Sequence, residues 1–155
     1  MTLDATAREA NLRDSIKKYL VDNLTTVEGV PIIFDSSLST PDVRGRGVDR
    51  WYKVEFGPMS RDVLSDTTLR ISCCTREDNE GFKLAQLADK MMGYLTDSDG
   101  DGTRRIAFYQ SSPTSAWTKI GGIVVHSIDE VGEAFGPDKT KFKILLVRLR
   151  FASKI

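Results

Sequence analysis

The run Thr140 to Phe151, TKFKILLVRLRF, restricts the possible folds more than any other segment of the chain. Side chains alternate across an extended strand. Phe142, Ile144 and Leu146 therefore face one way while Leu145, Val147, Leu149 and Phe151 face the other. A strand that is apolar on both sides belongs in the middle of a sheet, between two neighbours and partly buried on each face. The turn residues Gly136, Pro137 and Asp138 set its start.

Two helices read as covering elements. Leu12, Ile16, Tyr19, Leu20 and Leu24 recur at helical spacing with charged residues between them, which describes an amphipathic helix over about 3–23. Thr6 with Glu9 fits a capping box, and Asp4 offers another start. Leu84, Leu87, Ala88, Met91 and Leu95 mark a second helix, with Asp78 or Asn79 as N-cap and Glu80 in its first turn.

Strand patterns fill the rest. A short strand is expected over 30–34, where Pro31 restricts it to an edge or a strand start. Residues 51–56 and 69–75 alternate and are joined through Gly57, Pro58 and a polar turn, so an antiparallel pair is expected. Residues 104–110 and 117–128 read as two more strands, the latter bulged at Gly121 and Gly122. The serines, Pro41 and glycines of 36–47 read as a long loop, a kind usually functional or disordered in compact domains. The order of elements favours an α+β fold: a mostly antiparallel sheet of about six strands with two amphipathic helices packed on one face.

The 155 residues suit one domain, 1–155, with no linker between two cores and no fixed-period repeat. The apolar fraction is 40% and the charged fraction 28%, which excludes disordered and low-complexity classes. Twenty-two basic residues balance 22 acidic ones, with 11 against 12 up to Glu77 and 11 against 10 after it. Binding of nucleic acid by bulk charge is therefore not expected, although a local basic strip remains open. No segment reads as a signal peptide or a membrane span, so a cytosolic protein, or one in a particle assembled in the cytosol, is expected. Cys73 and Cys74 are adjacent on a strand and point to opposite faces, so reduced thiols are expected.

No motif for catalysis stands out. Asp97 to Gly102 matches the first half of an EF-hand loop, but the twelfth position is Phe108 rather than glutamate, and Arg104 and Arg105 add positive charge. An acidic turn is the simpler reading, and no metal site is expected. His126, the one histidine, sits in a valine-rich strand with no nucleophile or acid placed beside it by the sequence. Neither zinc spacing nor a phosphate-binding glycine loop is present, so no cofactor is expected. Lys139, Lys141, Lys143, Arg148, Arg150 and Lys154 follow Asp138 without an acid between them, and they serve either an anionic partner, a DNA passage among them, or the wet positions of a strand. Trp51 and Trp117 read as core residues before interface anchors.

The opening helix ending in Tyr19 and Leu20, the strand at 68–72, Thr75 and Arg76 with Asp78, the helix at 84–90, and the closing strands at 117–129 and 140–151 together resemble the tail terminator (tail completion) proteins of long-tailed bacteriophages. The resemblance spans nearly the whole chain and is one of architecture and local wording. It implies a structural, non-enzymatic virion protein. Such subunits form a ring, a hexamer, that caps the head-proximal end of the tail tube, ends tube polymerisation and offers a head-joining surface. The implied partners are further copies of the chain, the tail tube protein and a head-completion or neck protein, with DNA passing through the ring and no membrane. Zero net charge suits close contact between copies. The interface candidates are Arg44, Arg46 and Arg50 in or beside the long loop, Arg104 and Arg105 after the acidic turn, and Lys139, Lys141 and Lys143.

Three other readings stay open. A head-completion or neck connector protein has a similar size and some have related folds. A small hydrolase or ligand-binding domain requires His126 to face a cleft. A regulatory nucleic-acid-binding domain would use the strip from Lys139 to Lys154.

Overall fold

The computed structural model describes residues 8–34, 49–60, 64–78, 80–96, 105–110, 118–135 and 140–151. The expected helix starts at Asp4 and Thr6, the cap at Asn79, the loop at 36–47 and the acidic turn at 97–102 lie outside these residues. Helix α1, Arg8–Leu20, continues into a π-helical turn, Val21–Thr25. Gly29, at φ 71°, then reverses the chain, and the Val30 amide reaches back to the Leu24 carbonyl at 3.0 Å. Strands β1 (Ile32–Phe34), β2 (Arg50–Ser60) and β3 (Ser65–Arg76) precede helix α2 (Phe82–Leu95). Strands β4 (Arg105–Gln110), β5 (Thr118–Phe135) and β6 (Thr140–Phe151) follow it.

The six strands make one sheet in the order β1-β2-β3-β6-β5-β4, curled into a half-barrel. The α+β class and the mainly antiparallel sheet agree with expectation. The sheet is nevertheless mixed, because β1 runs parallel to β2. Parallel neighbours need a return of about a dozen residues or more, and 35–49 is long enough to supply it. β6 lies between β3 and β5, the interior position its two-sided apolar pattern calls for.

The β3–β6 ladder is continuous from Ser65↔Phe151 to Arg76↔Thr140. Directly opposed residues share a face, so Leu69, Ile71 and Cys73 align with Val147, Leu145 and Lys143. The apolar residues among these, with Tyr52 and Val54 of β2 and Ile123 and Val125 of β5, join the buried residues of both helices in one cluster. α1 contributes Leu12, Ile16, Leu20 and the following Leu24, and α2 contributes Leu84, Leu87, Ala88, Met91 and Leu95. Within the cluster the Phe108 and Phe151 rings stack at 5.3 Å.

Polar contacts fix the helices to the sheet. Ser15 Oγ donates to the Asn11 carbonyl at 2.7 Å and accepts the Tyr109 amide at 2.8 Å, which ties α1 to β4. Tyr52 Oη donates to the Leu87 carbonyl at 2.7 Å, satisfying a fully buried hydroxyl. α2 begins differently from expectation. Its N-cap is Gly81 at φ 73°, whose missing side chain cannot cap. Asp78 does so from three residues upstream, its Oδ2 accepting the Leu84 amide at 2.8 Å. Glu80 lies before the helix rather than within its first turn.

β5 extends past the expected end at Ile128 as far as Phe135. Among the described residues β4 pairs with it no farther than Val124, so its length from Val125 onward has a neighbour on the β6 side alone. Bulges interrupt that ladder between Val125 and Ser127 and between Glu130 and Glu133, with Gly132 at φ 79°. The β2–β3 ladder is bulged between Phe56 and Met59. There a Cβ on Gly57 would lie 2.7 Å from the Thr68 carbonyl oxygen, so the close approach requires glycine.

Two predictions come from this packing. Burial raises the affinity of the Asp78 carboxyl for its proton, but hydrogen bonds from the Leu84 and Lys83 amides outweigh burial and hold it below the usual range. Because the folded value is lowered, the stabilisation is present above the unfolded pKa of about 4 and is lost as pH falls through the folded value. Asp78→Ala is expected to cost about 1 kcal/mol at pH 7, with the gap to wild type closing below about pH 4 in urea melts. Burial also pushes the Cys74 thiol up to about 12 and Cys73 upward as well. Neither thiol is therefore expected to react with a disulfide reagent at about pH 8 until guanidinium unfolds the protein, and prompt reaction of either would contradict the packing.

Candidate functional site

Of the interface candidates among the described residues, Arg50, Lys141 and Lys143 share one side of the sheet, with Arg50 and Lys141 both in register with Thr75, whereas Arg105 lies on the other. Arg44, Arg46, Arg104 and Lys139 lie outside the described residues. Arg50 opens β2 and is exposed, with its Nε 3.7 Å from Asp49 Oδ1. The other oxygen of Asp49 is taken by Lys83 at 3.0 Å, and that bond, ahead of Arg50, lowers the Asp49 pKa. Lys141 and Lys143 are half-buried on the cluster side of β6, in register with Thr75 and Cys73. Lys143 sits 3.7 Å from Glu130, and Lys141 lies over the Phe135 ring at 5.8 Å. Within the described residues the basic strip after Asp138 is thus split by parity, with Lys141 and Lys143 turned toward the buried cluster.

The arginines occupy the opposite face. One row of register partners crosses five strands as Ser60, Asp66, Arg150, Val124 and Arg105. The next row along β6 holds Thr68, Arg148 and Ser127. Arg105, Arg148 and Arg150 are all exposed there. Asp66 Oδ1 accepts from Arg150 Nε at 3.0 Å, while Arg105 and Arg148 make no ion pair among the described residues.

The bulges in β2 and β5 frame a surface depression of about 390 Å³ on this face. Pro58 and Met59 form one wall, and His126, left without a β6 partner by its bulge, contributes to the other. Ser60, Asp66, Thr68, Arg148 and Arg150 also line it. His126 therefore lies at a depression instead of inside a packed sheet, the arrangement a hydrolase reading asks for. The chemistry beyond that is different. Asp66 is engaged by Arg150, and among the described residues no hydrogen bond joins His126 to Asp66 or Ser60. What the lining offers is guanidinium and hydroxyl donors with one carboxylate already neutralised, a combination that attracts anions.

Farther along the same face Trp51 is fully buried beneath Arg76, whose guanidinium is 4.9 Å from the ring. Trp51 Nε1, Arg76 Nε and Nη2, and Thr140 Oγ1 are buried with no hydrogen bond among the described residues. Trp117 lies outside the described residues. A second depression of about 440 Å³, between α2 and the start of β2, is lined by Arg50, Glu28 and Lys90 among others. There Glu28 accepts from Lys90 and from the Tyr94 hydroxyl, each at 2.8 Å, and these bonds lower its pKa.

Of the interface candidates, Arg105 belongs to this outer face, whereas Arg148, Arg150 and His126 are not among them. The signal that selects the two arginines is the alternation of β6, whose even-numbered positions after Leu146 are both arginine.

No known family profile matches the chain, and no curated protein matches it. Solved structures do. One, whose description states no function, aligns at a TM-score of 0.57 and 11% identity over 96% of this chain and 97% of its own. Another is a chain of the virion of a native gene transfer agent particle, at a TM-score of 0.52 and 16% identity over 96% of this chain and 99% of its own. At these identities the likeness establishes a shared fold, from one end of each chain to the other.

Proposed function

We propose that the chain is a structural, non-enzymatic subunit of a tailed-phage-like particle, acting as a tail terminator. In this reading copies of the chain close into a ring, a hexamer, on the head-proximal end of the tail tube. The ring ends tube growth and presents a surface to the head-completion or neck protein. The observation that carries the proposal is the end-to-end fold likeness to a gene transfer agent virion chain, covering 96% of one and 99% of the other. It agrees with the architecture that the sequence resemblance implies. The physical features suit the role: net charge is zero, and Phe135 at 78% and Val131 at 56% exposure offer apolar contact at the end of β5. A ring forms when a heterologous contact closes on itself.

The test is electron microscopy of particles produced without this gene alone. Overlong, headless tubes are the expected result. Free tails of normal length beside filled or leaking heads would place the protein in a head-completion or neck connector instead, and unchanged particles would reject a part in the virion joint.

A further inference from the structure

We propose that the outer sheet face around Arg105, Arg148 and Arg150 is a seat for the phosphodiester backbone of double-stranded DNA. The chain carries no net charge to attract a polyanion, so any such contact must come from a local array, and the strand register builds one. Arg150 and Arg105 stand in the same row on either side of Val124, about 10 Å apart at the spacing of strands. Arg148 lies two residues from Arg150 along β6, about 6.7 Å, or two steps of the ~3.4 Å rise between phosphates on one DNA strand. All three are exposed, and Asp66 is the acid in their rows.

The depression beside them supplies the remaining chemistry. Asp66 binds Nε of Arg150 at 3.0 Å, which holds that side chain, and among the described residues no other hydrogen bond takes its terminal nitrogens. Ser60 and Thr68 hydroxyls line the same depression, as does His126. Arginine with serine and threonine hydroxyls is the donor set that meets phosphate oxygens in DNA complexes. Among the described residues no ring of Phe, Tyr or Trp lines the depression to stack on an unpaired base, so the chemistry suits the backbone of a duplex better than a single strand. Lys141 and Lys143 of the same sequence strip take no part, because they face the other side.

The inference concerns one subunit and needs no ring, so its failure would leave the assembly role standing. The test uses the ¹⁵N-labelled full chain and a blunt duplex of about 16 base pairs, following arginine side-chain Nε–H signals by NMR. At about 25 mM salt the signals of Arg105, Arg148 and Arg150 are expected to shift with added duplex. Three phosphate contacts give a salt slope near about −2.7, so affinity should fall roughly 40-fold between about 25 and 100 mM salt. In Arg105→Ala/Arg148→Ala the same salt step should weaken binding only roughly 3- to 4-fold, with amide signals away from the patch unmoved. The wild-type map stands as evidence even if that variant folds poorly. Absence of shifts at about 25 mM salt would overturn the proposal. So would backbone amide shifts confined to Lys141 and Lys143, or equal arginine shifts with polyglutamate, which would mark the face as a seat for an acidic protein.

Discussion

The unbroken antiparallel ladder between β3 and β6 is the constraint on which the other contacts depend. It has no bulge, so residues stay in phase from Ser65 to Arg76 and from Phe151 to Thr140. A slip of one residue would exchange the two faces of β6. Arg148 and Arg150 would then turn into the cluster, while Leu145, Val147, Leu149 and Phe151 would face solvent. Burying unpaired guanidinium groups costs far more than any gain in packing, so a single register survives. Both helices, and β2 and β5 on either side, then pack against a surface that this pairing has already fixed.

The same phase separates the charges. Even-numbered positions of β6 beyond Leu146 carry arginine to the outer face, and Arg105 joins them because β4 and β5 hold their own register with it. Odd-numbered Lys141 and Lys143 are drawn to the other side, where the Phe135 ring and Glu130 receive them. A chain of zero net charge thereby gathers Arg105, Arg148 and Arg150 on one side of the sheet, apart from Lys141 and Lys143 of the same basic run.

Much of the fold is legible in the residues themselves. The apolar spacing of Leu84, Leu87, Ala88, Met91 and Leu95 names the buried stripe of α2, and the two-sided pattern of β6 names an interior strand. What could not be read depends on distant partners. The parallel pairing of β1 is set by where the chain returns, and the extension of β5 through Asp129, Glu130 and Gly132 is held by β6 against a local sequence that resembles a turn. The cap of α2 was legible in part: Asp78, one of the two candidates, does accept the Leu84 amide, but the N-cap position itself is Gly81, which has no side chain to offer. The site was the least legible part: Arg105 and Arg150 are far apart in sequence and meet only through the register of β5.

Among the described residues β5 from Val125 onward has a neighbour on one side alone, which also governs how this sheet can meet other chains. An open strand edge is a template on which foreign strands add. Here the exposed stretch is broken by two bulges, turned by Gly132 and charged by Asp129 and Glu130, features that discourage such growth. Neighbours that dock on this side are therefore selected by their side chains, which have a finite, shaped surface to match, rather than by a backbone ladder that any extended segment could continue.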